Sequence, residues 1–126
     1  MSFVLDASVV LAVLFEEPIG SLEFGDLLDG QLSSVNYCEI LARCMDRGMD
    51  TDLAERQIAR LNMAIVPFDA NHAREAASLR TATRHRGLSL GDRACLALAR
   101  REGLPVLTAD RQWEGLDVGV DIRLIR

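Results

Sequence analysis

The chain has no lysine: its fourteen basic residues are all arginine, set against nineteen Asp and Glu for a formal net charge of −5. Such a chain does not hold nucleic acid by bulk electrostatics alone, because phosphate contacts need a local excess of cation. Cysteine is scarce as well. Cys38, Cys44 and Cys95 make an odd set without C-x-x-C spacing, and all three fall in segments of helical pattern. That favours small apolar side chains in a core over zinc ligation or a disulfide framework. Long hydrophobic runs are missing too, and the longest, Val9 to Phe15, is far too short to span a bilayer. No basic leader precedes an apolar stretch, so a cytoplasmic location with no membrane partner is the expectation. Nor is there any repeat or low-complexity segment.

What is present is a globular composition. Apolar residues make up 49% of the 126, enough for one good core, and a single domain over residues 1–126 is expected. Phe3-Val4-Leu5 reads as a short buried strand that stops at Asp6. Ser8 can cap the apolar run from Val9 to Phe15, and Glu16-Glu17-Pro18 ends that helix because proline cannot continue it. Leu22, Phe24, Leu27 and Leu28 mark a second helix between Gly20 and Gly30. Gln31 to Val35 is a weak second strand. From Asn36 the stripe Tyr37, Ile40, Leu41, Cys44, Met45 predicts a helix that runs to Gly48. Thr51 opens another, and Ala64 to Phe68 is the third strand. Asp69 reads as the N-cap of a long helix to about Arg86, closed by Gly87. Ser89-x-x-Asp92 has capping-box spacing, and Ala94 to Ala99 behind it is apolar nearly all round, which predicts a buried helix. Leu104 to Thr108 and Ile122 to Ile125 complete the strands. Strands alternating with helices predict an α/β fold, a parallel sheet covered by helices on both faces.

Four acids are expected at one edge of that sheet. Asp6 follows strand one, Glu39 opens the helix after strand two, Asp92 opens the buried helix before strand four, and Asp110 follows strand four. In a parallel sheet the carboxyl ends of the strands, and the helix N-termini they feed, share an edge. Each acid also has a plain role open to it. Asp6 and Asp110 fit turns or caps; Asn36-x-x-Glu39 and Ser89-x-x-Asp92 fit capping boxes. Jointly they ask for more. Converging carboxylates repel, and with no lysine the natural counter-charge is a hard divalent cation, Mg²⁺ or Mn²⁺. Such an ion can activate a water for attack on a phosphodiester. Ser8 and Thr108, each two residues from an acid, could position a water or a carboxylate, or serve as caps. Setting the four acids aside leaves fifteen against fourteen arginines, a nearly neutral remainder. Arg74, Arg80, Arg84, Arg86 and Arg93 could then hold a nucleic-acid backbone locally, or form a solvated helix face.

Four stretches resemble the PIN-domain ribonucleases, and in particular the VapC-type toxins of type II toxin–antitoxin systems. They are Val4-Leu5-Asp6-Ala7-Ser8, Ser34-Val35-Asn36-Tyr37-Cys38-Glu39, Leu88-Ser89-Leu90-Gly91-Asp92-Arg93-Ala94 and Leu107-Thr108-Ala109-Asp110-x-x-Trp113. They span the chain in the family's order. The resemblance implies a sheet of order 3-2-1-4-5, a Mg²⁺-dependent cleft and endonucleolytic cleavage of RNA. It implies a metal-binding and catalytic set of Asp6, Glu39, Asp92 and Asp110, with Asp110 either a ligand or a group behind the ligands, and Ser8 and Thr108 in support. Asp117 lies beyond the motif. The resemblance also implies a homodimer and a cognate antitoxin whose C-terminal segment wraps the toxin.

Other acidic-site folds fit less well. A receiver domain needs a lysine near its last strands. A haloacid-dehalogenase-like phosphatase needs Asp-x-Asp after strand one, where this chain has Ser8, and a lysine besides. A dinucleotide-binding domain needs glycines where Asp6-Ala7-Ser8 stands. The alternative that survives is a catalytically silent PIN-like domain that binds RNA or a partner.

Overall fold

A computed structural model describes residues 2–126. Five parallel strands, β1 (Val4–Leu5), β2 (Gln31–Ser33), β3 (Ala64–Val66), β4 (Val106–Thr108) and β5 (Ile122–Leu124), form one sheet in the order β3-β2-β1-β4-β5. The expected α/β class and strand order are borne out. Period two divides the sheet's contacts between two cores. Leu5, paired with Leu107, packs with Leu32, Val9, Ile40 and Ile58, while Val4, paired with Val106, packs with Leu96, Leu98 and Trp113. Both faces are therefore buried, as a parallel sheet requires.

The helices are α1 (Ala7–Leu14), α2 (Phe24–Leu27), α3 (Ser34–Asp46), α4 (Thr51–Ala59), α5 (Ala70–Ser78), α6 (Arg80–Thr83) and α7 (Leu90–Glu102). As expected, α7 is buried nearly all round: Ala94 to Leu98 are fully buried and Ala99 is 1% exposed. Gly103, at φ 65°, closes it in the left-handed conformation that suits glycine.

Several local expectations are corrected. Helix α3 starts two residues before Asn36, because Ser33 rather than Asn36 is its cap, accepting Val35 N–H at 3.3 Å. Met45 is exposed rather than part of the buried stripe. The long helix from Asp69 is broken at Leu79. Asp69 does cap α5, accepting His72 N–H at 2.8 Å, but the Thr83 hydroxyl donates back to Leu79 O at 2.8 Å, a bond that bends helices. Cys44 and Cys95 are buried thiols, whereas Cys38 is exposed. Among the described residues, no helix is long and apolar enough to cross a membrane.

Candidate active site

Strands one to three step outward on one side of β1, and β4 and β5 lie on the other. The crevice above β1 and β4 is the topological switch point, where open α/β sheets place ligands. Asp6 stands directly after β1 and is 5% exposed. It occupies the N-cap position of α1, yet its side chain makes no capping hydrogen bond. The carboxylate is instead held from the side: Ser8 Oγ donates to Oδ2 at 2.6 Å and Thr108 Oγ1 donates to the same oxygen at 2.8 Å. Ser8 lies inside the first turn of α1 and caps nothing, so the capping role read from sequence is corrected. Its oxygen accepts Ala109 N–H at 2.9 Å, and Thr108 Oγ1 accepts Asp110 N–H at 3.0 Å. Two hydroxyls thus stitch the end of β4 to the acid after β1.

Each of the other acids is also held by one oxygen. Glu39 Oε1 accepts the Asn36 amide at 3.0 Å, from the second turn of α3 rather than the first. Asp92 closes the expected capping box, Oδ2 accepting Ser89 N–H at 2.9 Å while Ser89 Oγ accepts Asp92 N–H at 3.2 Å. Asp110 Oδ1 accepts Gln112 N–H at 2.9 Å and so caps the 3-10 turn Arg111–Trp113. The cap readings of Asp92 and Asp110 therefore hold, and they coexist with a site. Every one of the four carboxylates keeps a second oxygen that makes no hydrogen bond among the described residues.

Asp6 and Asp92 sense their acidic neighbours. Burial pushes the Asp6 carboxyl up to about 6; the Ser8 and Thr108 hydroxyls oppose the rise, and the charges of Asp92 and Glu39 add to it. Burial also raises Asp92, opposed by its bonds at Ser89, and the charge of Asp110 adds to the rise. The Cys95 thiol, fully buried behind the cleft, is raised well above its ordinary value by burial and then by Asp6, Asp92 and Glu39. None of the four acids forms a salt bridge among the described residues. Their donor chemistry fits a hard cation, which takes carboxylate oxygens and keeps several waters. The arrangement is open, however: no three such side chains among the described residues stand close enough to form a closed metal-binding group.

A groove of about 340 Å³ begins at Ser8 and runs beside α1, lined by Leu11 and Phe15 and by charges of both signs, Arg43, Arg47 and Arg126 with Glu17 and Asp46. The Arg47 guanidinium lies 4.3 Å over the Phe15 ring. Of the arginines noted from sequence, two are engaged internally: Arg86 donates to Gln112 O and Glu114 O, and Arg93 donates to Ala76 O. Arg74, Arg80 and Arg84 are exposed. Two residues of the cleft stood in the matching stretches of the sequence without a role of their own, Asn36 beyond its spacing to Glu39 and Gly91 beyond its place before Asp92. Asn36 also donates to Gly91 O at 3.0 Å, a contact across 55 positions that no local pattern signals.

Fold and site together define a parallel α/β domain with Asp6 and its acidic neighbours at the switch point of its sheet. The chain belongs to the PIN-domain family, whose pattern matches residues 3–119. No curated protein matches it. Solved structures of the same fold bear out the resemblance to VapC-type toxins. A member of the VapBC family of toxin–antitoxin systems, VapBC-5 from Mycobacterium tuberculosis, is similar at 27% identity and TM-score 0.62, over 99% of this chain and 98% of that one. VapBC2 from Rickettsia felis, bound to a DNA fragment from its promoter, shares the fold at TM-score 0.75 and 15% identity, with both chains fully covered. DNA-bound VapBC from Salmonella typhimurium does so at TM-score 0.68 and 17% identity, over 100% of this chain and 99% of that one.

Proposed function

We propose that this chain is a metal-dependent endoribonuclease, the toxin of a toxin–antitoxin pair. The observation that supports the reading is a chain of acids near enough to act on one another, Asp92 and Glu39 on Asp6 and Asp110 on Asp92, each with one oxygen tied and one free. The free oxygens would hold Mg²⁺, or Mn²⁺ in its place. When bound, such an ion supplies charge neutralisation and an acidified water for hydrolysis of a phosphodiester. The chain's own work is orientation. Ser8 and Thr108 hold Asp6 in one rotamer, Ser89 holds Asp92, and the backbone of Gln112 holds Asp110. Arg43 and Arg47 in the groove beside Ser8 suit the backbone of an RNA strand that enters the crevice.

The domain is proposed to fill residues 1–126, to work in the cytoplasm as a homodimer and to be silenced by a cognate antitoxin. The similarity to VapBC-5, a member of a family of toxin–antitoxin systems, supports the partner. One observation favours the second reading, a PIN domain that binds RNA without cutting it: the four acids do not close into a metal-binding group. Cleavage of total cellular RNA by antitoxin-free protein, with Mg²⁺ or Mn²⁺ and with EDTA, separates the two. The nuclease reading expects cleavage that EDTA abolishes and that Asp6→Asn removes together with growth inhibition. RNA binding without cleavage under any metal establishes the second.

A further inference from the structure

Asn36 is fully buried at the third position of α3. Its amide nitrogen has two hydrogens and two partners, Glu39 Oε1 and Gly91 O, each at 3.0 Å. Both partners are pure acceptors, so the amide can sit only this way round. Its Oδ1 is left buried with no partner among the described residues. A side chain kept for stability alone would not strand an oxygen, since an unsatisfied buried acceptor costs stability that an apolar residue avoids. Gly91 makes the second half of the arrangement. A β-carbon there would overlap Glu39 Oε1 and crowd Glu39 Cδ at 2.7 Å. The Glu39 carboxylate thus occupies the space a side chain at residue 91 would take, one residue before Asp92.

We infer that Asn36 and Gly91 are a positioning pair that holds the Glu39 carboxylate against the first turn of α7, so that Glu39 and Asp92 serve one cation. Glu39 belongs to an exposed position on α3, and its long side chain would otherwise sample several rotamers. The Asn36 hydrogen bond and the gap at Gly91 select one of them. Groups of this kind, which orient a ligand without touching the ion, commonly carry a tenfold or larger share of metal affinity. The inference rests on the proposed metal site.

Gly91→Ala is the sharper test, because the two possible roles of Gly91 predict opposite signs. Alanine is the better helix former, so the fold should be as stable or more stable. The clash falls on the far end of a flexible side chain, which swings away. Mn²⁺ binding to the RNA-free protein, followed by calorimetric titration, should weaken roughly tenfold in Gly91→Ala. In a Glu39→Ala background the same change should have no further effect, since the group it displaces is already gone. Asn36→Ala should weaken Mn²⁺ to a similar degree, and in cleavage assays both single variants should need more metal for half-maximal rate while regaining kcat at saturating metal. Equal Mn²⁺ affinity in wild type and Gly91→Ala overturns the positioning role and leaves the metal site standing. A wild-type protein that takes up no Mn²⁺ overturns both. Should Asn36→Ala fail to fold, Gly91→Ala and its double variant decide alone.

Discussion

Thr108 Oγ1 donates to Asp6 Oδ2 at 2.8 Å, joining the end of β4 to the acid after β1 across 102 positions of sequence. Both residues are buried, and the same hydroxyl accepts the Asp110 N–H. One side chain therefore orients two of the four acids. Thr108→Val keeps the shape and removes the hydroxyl. A hydrogen bond to a charged group in such a place is worth about 1.5–3 kcal/mol. Urea denaturation at pH 7 should show a loss of that order, and a smaller one at pH 5, where Asp6 carries a proton. Equal stability of variant and wild type at pH 7 would show that the bond contributes nothing.

The raised carboxyl of Asp6 sets the pH dependence of the metal-free protein. With its ordinary value of 3.8 unfolded and about 6 folded, the native state binds more protons than the unfolded state between those limits. Stability from this group is fully present below about 3.8 and is lost as pH rises through about 6. The rise of about two pKa units corresponds to roughly 3 kcal/mol. Asp92 shifts in the same direction and adds to the slope. In EDTA, the unfolding free energy should fall between pH 5 and pH 7, and Asp6→Asn should flatten most of that fall. A wild-type profile that is flat or rises over this interval contradicts the burial of a repelled acid.

Much of this was legible in local sequence, and what was not has physical reasons. Strand, acid and small hydroxyl at Val4-Leu5-Asp6-Ala7-Ser8 are contiguous, so the sheet edge could be placed without coordinates. The capping box at Ser89 and Asp92 was legible for the same reason. Glu39 was placed one turn too early because Ser33 and Ser34 suit a strand end and a helix cap equally. Pairing of β2 with β3 through Ser33 and Val66 decides between them. The break at Leu79 lies within an otherwise continuous helical pattern, and only the Thr83 hydroxyl bonded to Leu79 O accompanies it. The Ser8 hydroxyl and the Asn36 amide each add to a local bond a second one to a residue 101 or 55 positions away, and no window of neighbouring residues contains such partners.

Acids that only cap should differ from acids that share the crevice. Asp69 caps α5 through one hydrogen bond to His72 N–H, away from the four. Asp69→Ala should cost about 1 kcal/mol, as lost caps do, and leave RNA cleavage and metal response unchanged. Asp6→Asn should cost little at pH 7 or even stabilise, because the amide is buried uncharged, while cleavage is lost. Thermal melts and cleavage assays on the two variants check the contrast. A stable Asp69→Ala protein without cleavage, or a fully active Asp6→Asn protein, would reverse the assignment of roles.

Divalent cations should stabilise the protein, and the effect should grow with pH. A cation at the free oxygens of Asp6, Glu39, Asp92 and Asp110 favours the charged forms that burial, and after it the neighbouring acids, disfavour at Asp6 and Asp92. Binding to the native state alone adds about 2.7 kcal/mol when the ion is at a hundred times its dissociation constant. Protons compete for the same carboxylates, so Mg²⁺ or Mn²⁺ at millimolar concentration should raise Tm more at pH 7.5 than at pH 5.5. Asp6→Asn should remove most of the rise at both. Ca²⁺, larger and satisfied by looser oxygen shells, should stabilise as well without supporting cleavage if rate depends on the tighter geometry of Mg²⁺. Melting curves that no divalent ion moves would mean the four carboxylates do not share one.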